Sequence, residues 1–246
     1  MPKSRDVVAI IPARLGSHRL PRKVLLNLVG RPVIEHVWRK LRRCKQTADI
    51  YVATDSPEVA ERVEGFGGNV VMTSSNCPSG TDRVYEALRK IGAWGAVNIQ
   101  GDEPFISPSD IDAIAKALRQ SDGRSVYTLA RAERDAKRFQ ARDVVKVVTG
   151  DDDRALYFSR APVPFANGSN DMYYEHVGVY GYSRSLLRKF VTWGPTALER
   201  RERLEQLRFL EHGVSIRVLR TRHKGFGIDT ATDLRRAAAR LGRGSR

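Results

Sequence analysis

Cysteine is nearly absent from this 246-residue chain; Cys44 and Cys77 are its only two. Two thiols cannot supply a disulfide framework, and their positions match no metal-ligand spacing, so both read as inert thiols in a reducing compartment. Long apolar runs are missing as well. No stretch approaches the ~20 residues that cross a bilayer, and the opening residues MPKSRD lack the apolar segment of a secretory signal. A soluble, cytoplasmic protein with no membrane partner is expected, large enough to bury a sizeable core. Internal repeats and low-complexity linkers are also lacking, which points to one domain over residues 1–246 with a β-rich sub-region at about 150–185. Acidic residues are in short supply: 28 Asp+Glu stand against 43 Lys+Arg, a net charge of +15. That balance raises a basic nucleic-acid-binding protein as one reading. Yet the cations are scattered, and no helix-turn-helix, zinc-finger or aromatic RNA-binding signature accompanies them. The denser runs, Arg39 to Arg43 and Arg235 to Arg246, read as solvated helix face or tail, with no specific nucleic acid as partner. An enzyme whose substrates are all anions accounts for the same charge.

What is present begins with VVAIIPARLGSHRLPRK, residues 7–23. Val7 to Ile11 is a continuous apolar run, as in a parallel strand covered on both faces, and Pro12 is expected to end it. Arg14, Arg19, Arg22 and Lys23 follow, with Gly16 easing the turn. Ligands of open α/β sheets bind beyond the carboxyl ends of the strands, so this cationic loop is placed to hold a polyphosphate. It lacks the P-loop spacing. Further on, strand patterns (50–53, 70–72, 96–99) alternate with helical ones (33–44, 57–66, 82–91, 109–118), which predicts an α/β, doubly wound, mostly parallel Rossmann-like sheet. The second half reads as strands at 144–148, 155–158, 177–182 and 214–219, with helices at 184–191, 198–210 and 232–241. Thr230 or Thr232 is expected to cap the last helix.

Two carboxylates stand at strand ends: Asp102 in QGDEP and Asp229 in GFGID. Taken singly, each reads as a turn or capping residue. Brought together beside a cationic loop, they would suit Mg²⁺, which favours carboxylate and phosphate oxygens, and the combination fits phosphoryl or nucleotidyl transfer.

IPARLGSHRLPRK, CPSGTDR (77–83), NIQGDEP (98–104), ALYFSRAPVPF (155–165), HVGVYGY (176–182), LEQLR (204–208) and GIDT (227–230) occur in order along nearly the whole chain. Together they closely resemble the 3-deoxy-manno-octulosonate (KDO) cytidylyltransferases. The resemblance implies a nucleotidyltransferase fold with a β-rich excursion serving a homodimer, and Mg²⁺-dependent transfer of CMP from CTP to a 2-keto sugar acid, releasing pyrophosphate. It assigns Lys23, Arg14 and Asp102 to catalysis. Ala13, Arg14, Lys23, Ser79, Gly80, Thr81, Arg83 and Gln100 would bind CTP; Asp102 and Asp229 would bind the metal. Gln100, Arg160, His176, Tyr180, Glu205 and Gln206 would surround the acceptor, Arg160 suiting its carboxylate and the amides and hydroxyl its hydroxyls.

Blander readings stand beside these. His176 suits a half-buried strand histidine, one of Tyr180 and Tyr182 a core residue, and Glu205 a helix-face partner of Arg201 or Arg208. His18, His36, His212 and His223 read as surface or loop residues. The chain also departs from the family pattern. Arg22 replaces the glycine expected before the loop lysine, and Arg131 follows TLA where an apolar or small residue is usual. Arg131 alone reads as a solvated strand-end arginine. Turned inward, it would add a charge to the acceptor pocket. Arg22, Arg131 and the basic balance motivate a second acceptor class, a small phosphonate such as phosphonoformate.

Overall fold

The computed structural model describes residues 5–16, 19–166, 168 and 171–243; His18 lies outside the described residues. Among the described residues a nine-stranded sheet forms the centre, and a small hairpin of β2 (Asn27–Leu28) and β3 (Arg31–Pro32) stands apart from it. The first strand of the sheet, β1 (Val7–Ala13), pairs in parallel with β4 (Ile50–Thr54) and with β6 (Gly95–Asn98). The continuous apolar run has a direct cause. Val7, Ala9 and Ile11 enter one core cluster, whereas Val8 and Ile10 enter the other, so both faces of β1 are covered. Pro12 does not end the strand. Beyond Ile10, β1 keeps a strand partner only on the β4 side, where the register continues to Ala13–Thr54. A missing N–H is tolerated on such a half-open edge.

The sheet continues through β5 (Asn69–Met72) on one side of β4. On the other side of β6 come β10 (Tyr173–Ser183), β7 (Val126–Glu133) and β11 (Ile216–Thr221), giving the order β11-β7-β10-β6-β1-β4-β5. Only β10 runs antiparallel along this path. A hairpin of β8 (Lys146–Thr149) and β9 (Ala155–Ser159) joins β10 through β8. The strand expected to end at TLA runs on through Arg131 to Glu133 as β7, and α5 (Ala136–Gln140) follows it. Gly181 of β10 is required by packing, since a Cβ there would meet Ile114 at 2.5 Å.

On one sheet face lie α1 (Val33–Leu41), α2 (Pro57–Gly65) and α4 (Pro108–Gln120), which supply Val37, Val63 and Ile114 to the core. The other face is covered by α3 (Gly80–Ile91), α6 (Arg184–Phe190) and α8 (Gln206–Glu211), with Leu88, Leu187 and Leu207. The expected helix over 198–210 is two helices. α7 (Ala197–Glu202) stops where Arg203 adopts a left-handed backbone, φ 56°, and α8 begins at Gln206. α9 (Ala231–Arg243) closes the chain. Thr230 caps it reciprocally, accepting from the Asp233 N–H at 3.2 Å while Asp233 accepts the Thr230 N–H at 2.9 Å. No helix among the described residues is long and apolar enough to cross a membrane.

Candidate active site

The carboxyl ends of β1 and β6, the N-terminus of α3, the middle of β10 and the α7–α8 corner surround a cavity of about 580 Å³. Ala13, Arg14, Lys23, Ser79, Gly80, Thr81, Arg83, Gln100, Asp102, His176, Tyr180, Glu205, Gln206 and Asp229 all line it. Residues more than two hundred positions apart, Lys23 and Asp229 among them, are thus brought together.

One end is ionic. Lys23 opens a short 3-10 turn, and its Nζ contacts Asp102 Oδ2 and lies 3.0 Å from Asp229 Oδ1. Arg19 reaches the same Asp229 oxygen at 2.9 Å. Burial would lower the Lys23 pKa, but Asp102 and Asp229 outweigh it, and the ammonium is held above its usual range. Next to these, burial and the two aspartates push Glu103 up to about 8. Among the described residues no group of three or more His, Cys, Asp or Glu side chains forms a ready metal cage. The donor set that is present, two carboxylates converging on one cation, is what Mg²⁺ takes when substrate phosphates complete its shell.

The α3 N-terminus forms one wall. Ser79 caps it, accepting from Asp82 N–H at 3.2 Å, and the helix dipole there favours negative charge. Arg83 is buried, donating to Thr73 Oγ1 at 2.5 Å and lying 3.4 Å from Asp55. Cys77 also lines this wall, but burial pushes its thiol up to about 11; burial and Asp112 push Cys44 up to about 12. Both are poor nucleophiles at neutral pH.

The other end is aromatic, with the buried Glu205 carboxyl among the rings. In β10 the pairing register shifts between Val177 and Tyr180, with Gly178 at the cavity wall. Such an irregularity re-aims side chains; His176 and Tyr180 lie with ring centroids 5.4 Å apart, and Tyr182 stacks on Tyr180 at 5.8 Å. Burial holds the His176 imidazole down at about 3, and its Nε2 sits 3.0 Å from Thr128 Oγ1. Burial raises the Glu205 carboxyl, partly offset by hydrogen bonds from Thr81 and Ser79; the Thr81 Oγ1 donates at 2.7 Å. Glu205 is not the helix-face partner of Arg208, which instead pairs with Glu199 through two nitrogens at 2.7 and 2.5 Å.

Two expected residues do not line the cavity. Arg160 spends its guanidinium on backbone carbonyls: those of Glu202 at 2.9 Å, Arg142 at 3.2 Å and Arg203 at 3.5 Å. Glu202 and the buried Lys146 fix this geometry. The Glu202 carboxylate accepts from Arg160 N–H at 2.9 Å, and the Lys146 ammonium donates to the Arg160 carbonyl at 2.6 Å. Arg131 is neither solvated nor turned into the pocket. It is 7% exposed, held between Glu133 at 2.7 Å and Glu175 at 2.9 Å. Arg22 also faces away, pairing with Glu58 of α2. His36 bonds the Leu28 carbonyl, His212 stacks on Trp193 and His223 reaches the Phe105 carbonyl, all away from the cavity.

Sequence reasoning missed Asn98, Val145, Arg203 and Phe209 as cavity residues. For Asn98 a signal existed: it alternates with Ala96 on β6, and so shares the face that carries Tyr182.

A cytidylyltransferase family profile matches residues 8–216. The 3-deoxy-manno-octulosonate cytidylyltransferase of Geobacter sulfurreducens is 42% identical over 248 residues, covering 96% of this chain and 99% of the relative. The Escherichia coli protein of the same name is 40% identical over 233 residues, 94% of either chain. The chain belongs to the KDO cytidylyltransferase family. A solved CMP:2-keto-3-deoxy-manno-octonic acid synthetase complexed with CTP superposes on this cytidylyltransferase with a TM-score of 0.93 at 38% identity, covering 97% of this chain and 99% of that one.

Proposed function

We propose that this cytidylyltransferase transfers CMP from CTP to 3-deoxy-manno-octulosonate, with Mg²⁺, and releases pyrophosphate. One observation carries the reading: a single cavity joins a cation-and-carboxylate end to an end rich in amide, hydroxyl and aromatic groups. The first end suits a triphosphate, the second a polyhydroxylated body. Arg14 and Lys23 hold the triphosphate, Ala13 and Ser79 to Thr81 flank base and ribose, and Arg83 adds positive potential. Asp102 and Asp229 hold Mg²⁺, which when bound neutralises charge at the transferred phosphorus. Gln100, His176, Tyr180, Glu205 and Gln206 orient the acceptor. Its anomeric hydroxyl gives up its proton to bulk water as the oxygen forms the new bond to the α-phosphorus and the bond to the departing pyrophosphate breaks in line. His176, with a pKa of about 3, is a weak base at neutral pH and serves as a hydrogen-bonding group.

The phosphonate alternative loses its two residue supports, since Arg22 and Arg131 are both committed to carboxylates outside the cavity. Pyrophosphate release measured with CTP, Mg²⁺ and each acceptor in turn tests the reading. Turnover with the sugar acid is expected; turnover with phosphonoformate alone would overturn it. A homodimer belongs to the same proposal. The exposed apolar side chains Leu156, Phe165 and Met172 of the β9–β10 region support it, and light scattering in solution tests it.

A further inference from the structure

Two buried side-chain atoms on the cavity wall have no hydrogen-bond partner among the described residues: the carbonyl oxygen Oδ1 of Asn98 and the amide nitrogen Nε2 of Gln206. Their residues are 2% and 4% exposed. Buried polar atoms are nearly always paired, so an orphan of each sign in one cavity marks where a ligand supplies the missing partners. We propose that Asn98 is a specificity-determining residue of the acceptor subsite, its Oδ1 accepting a hydrogen bond from an acceptor hydroxyl. This rests on the sugar-acid reading above.

The strand geometry says why this atom is left over. Asn98 ends β6, opposite Tyr180 of β10. Its side chain hydrogen-bonds the Tyr182 hydroxyl. That contact anchors the amide and leaves the carbonyl oxygen free. A carbonyl oxygen only accepts, so its partner must carry a proton. An ionised carboxylate, phosphate or phosphonate has none to give. A hydroxyl does, and its oxygen, or that of a neighbouring hydroxyl, also answers Gln206 Nε2. His176, kept neutral by burial, Tyr180, Tyr182 and Phe209 line this side, with the Glu205 carboxyl beside the two tyrosines. They suit the hydroxylated carbon chain of a sugar acid. Asn98 thus favours such a chain and, for the same reason, disfavours a small phosphonate, which would leave Oδ1 unpaired.

The test is a cycle between protein and ligand. Kinetics are measured for wild type and Asn98→Ala with KDO and with analogues that each lack one hydroxyl; calorimetry gives the affinity for CTP. Wild type should discriminate against one analogue by about 10-fold or more, as for a lost hydrogen bond to a buried acceptor. Asn98→Ala should abolish that discrimination while its CTP affinity stays within about twofold. Asn98→Asp, which keeps an acceptor atom in place, should retain the discrimination, and covers the case in which the alanine variant fails to fold. Discrimination that survives in Asn98→Ala, or a loss that falls on CTP affinity instead, overturns the role given to Asn98. Failure of wild type to use KDO at all overturns the sugar-acid reading, a result distinguishable from sugar turnover that ignores Asn98.

Discussion

Acid should destabilise this protein through His176. The imidazole sits on β10 with Nε2 3.0 Å from the Thr128 hydroxyl, edge-on to Phe158 at 5.1 Å and beside Tyr180 at 5.4 Å. Burial lowers its pKa from 6.5 to about 3. Between those two values the unfolded chain binds a proton that the folded chain refuses, so stability falls as the pH drops through this window. At about pH 5 the loss is roughly 2 kcal/mol, from about 1.4 kcal/mol per unit over about one and a half units. The assay is urea unfolding of wild type and His176→Gln at about pH 7.5 and about pH 5. Glutamine reaches the Thr128 hydroxyl but does not titrate, and other groups contribute equally to both proteins. Wild type should therefore lose about 2 kcal/mol more than the variant on acidification. An equal loss in both would refute the picture of a neutral, buried imidazole at the acceptor end.

Three further outcomes are expected. Asp102→Asn should lower kcat by about 100-fold or more, the scale of losing a metal-site group, with an unchanged melting temperature; near-normal pyrophosphate release at saturating Mg²⁺ would contradict the metal role. Arg131→Leu leaves Glu133 and Glu175 short of a buried cation, although Arg138 still pairs with Glu175. It should cost about 3 kcal/mol in urea unfolding, the low end for a broken buried pair, and leave acceptor KM unchanged; a rise in KM without loss of stability would return Arg131 to the pocket. Arg22→Gly removes a side chain from a left-handed backbone, φ 57°, together with an exposed ion pair to Glu58. The relief of about 1 kcal/mol and the loss of up to about 1 kcal/mol nearly cancel, so stability and kcat/KM for CTP should change little; a large fall in kcat/KM would show that Arg22 acts on the triphosphate grip.

The sheet was legible wherever local pattern and tertiary environment agree. The apolar run of β1 could only be a strand covered on both faces, and the motif blocks marked nearly every residue of the cavity. What escaped depended on contacts distant in sequence. Pro12 stays in β1 because β6 stops pairing just before it, which no local rule reveals. The break at Arg203 is a left-handed backbone at a residue that favours helices. Arg131 looked like an end-of-strand cation because the carboxylate that buries it, Glu175, lies on another strand. Arg160 suited a carboxylate by chemical type, but Glu202 and Lys146 turn its guanidinium onto backbone carbonyls. Asn98 lies in the same block as Gln100 and Asp102, but only its pairing opposite Tyr180 on β10 marks it as a cavity residue.

The most direct test of the account is a competition. KDO and phosphonoformate are supplied at equal concentration with limiting CTP and Mg²⁺, and the products are identified by mass and phosphorus resonance. The aromatic, hydrogen-bonding end of the cavity predicts CMP linked to the sugar acid and free pyrophosphate, with phosphonoformate left over. A product carrying CMP on the phosphonate, with the sugar acid untouched, would contradict it.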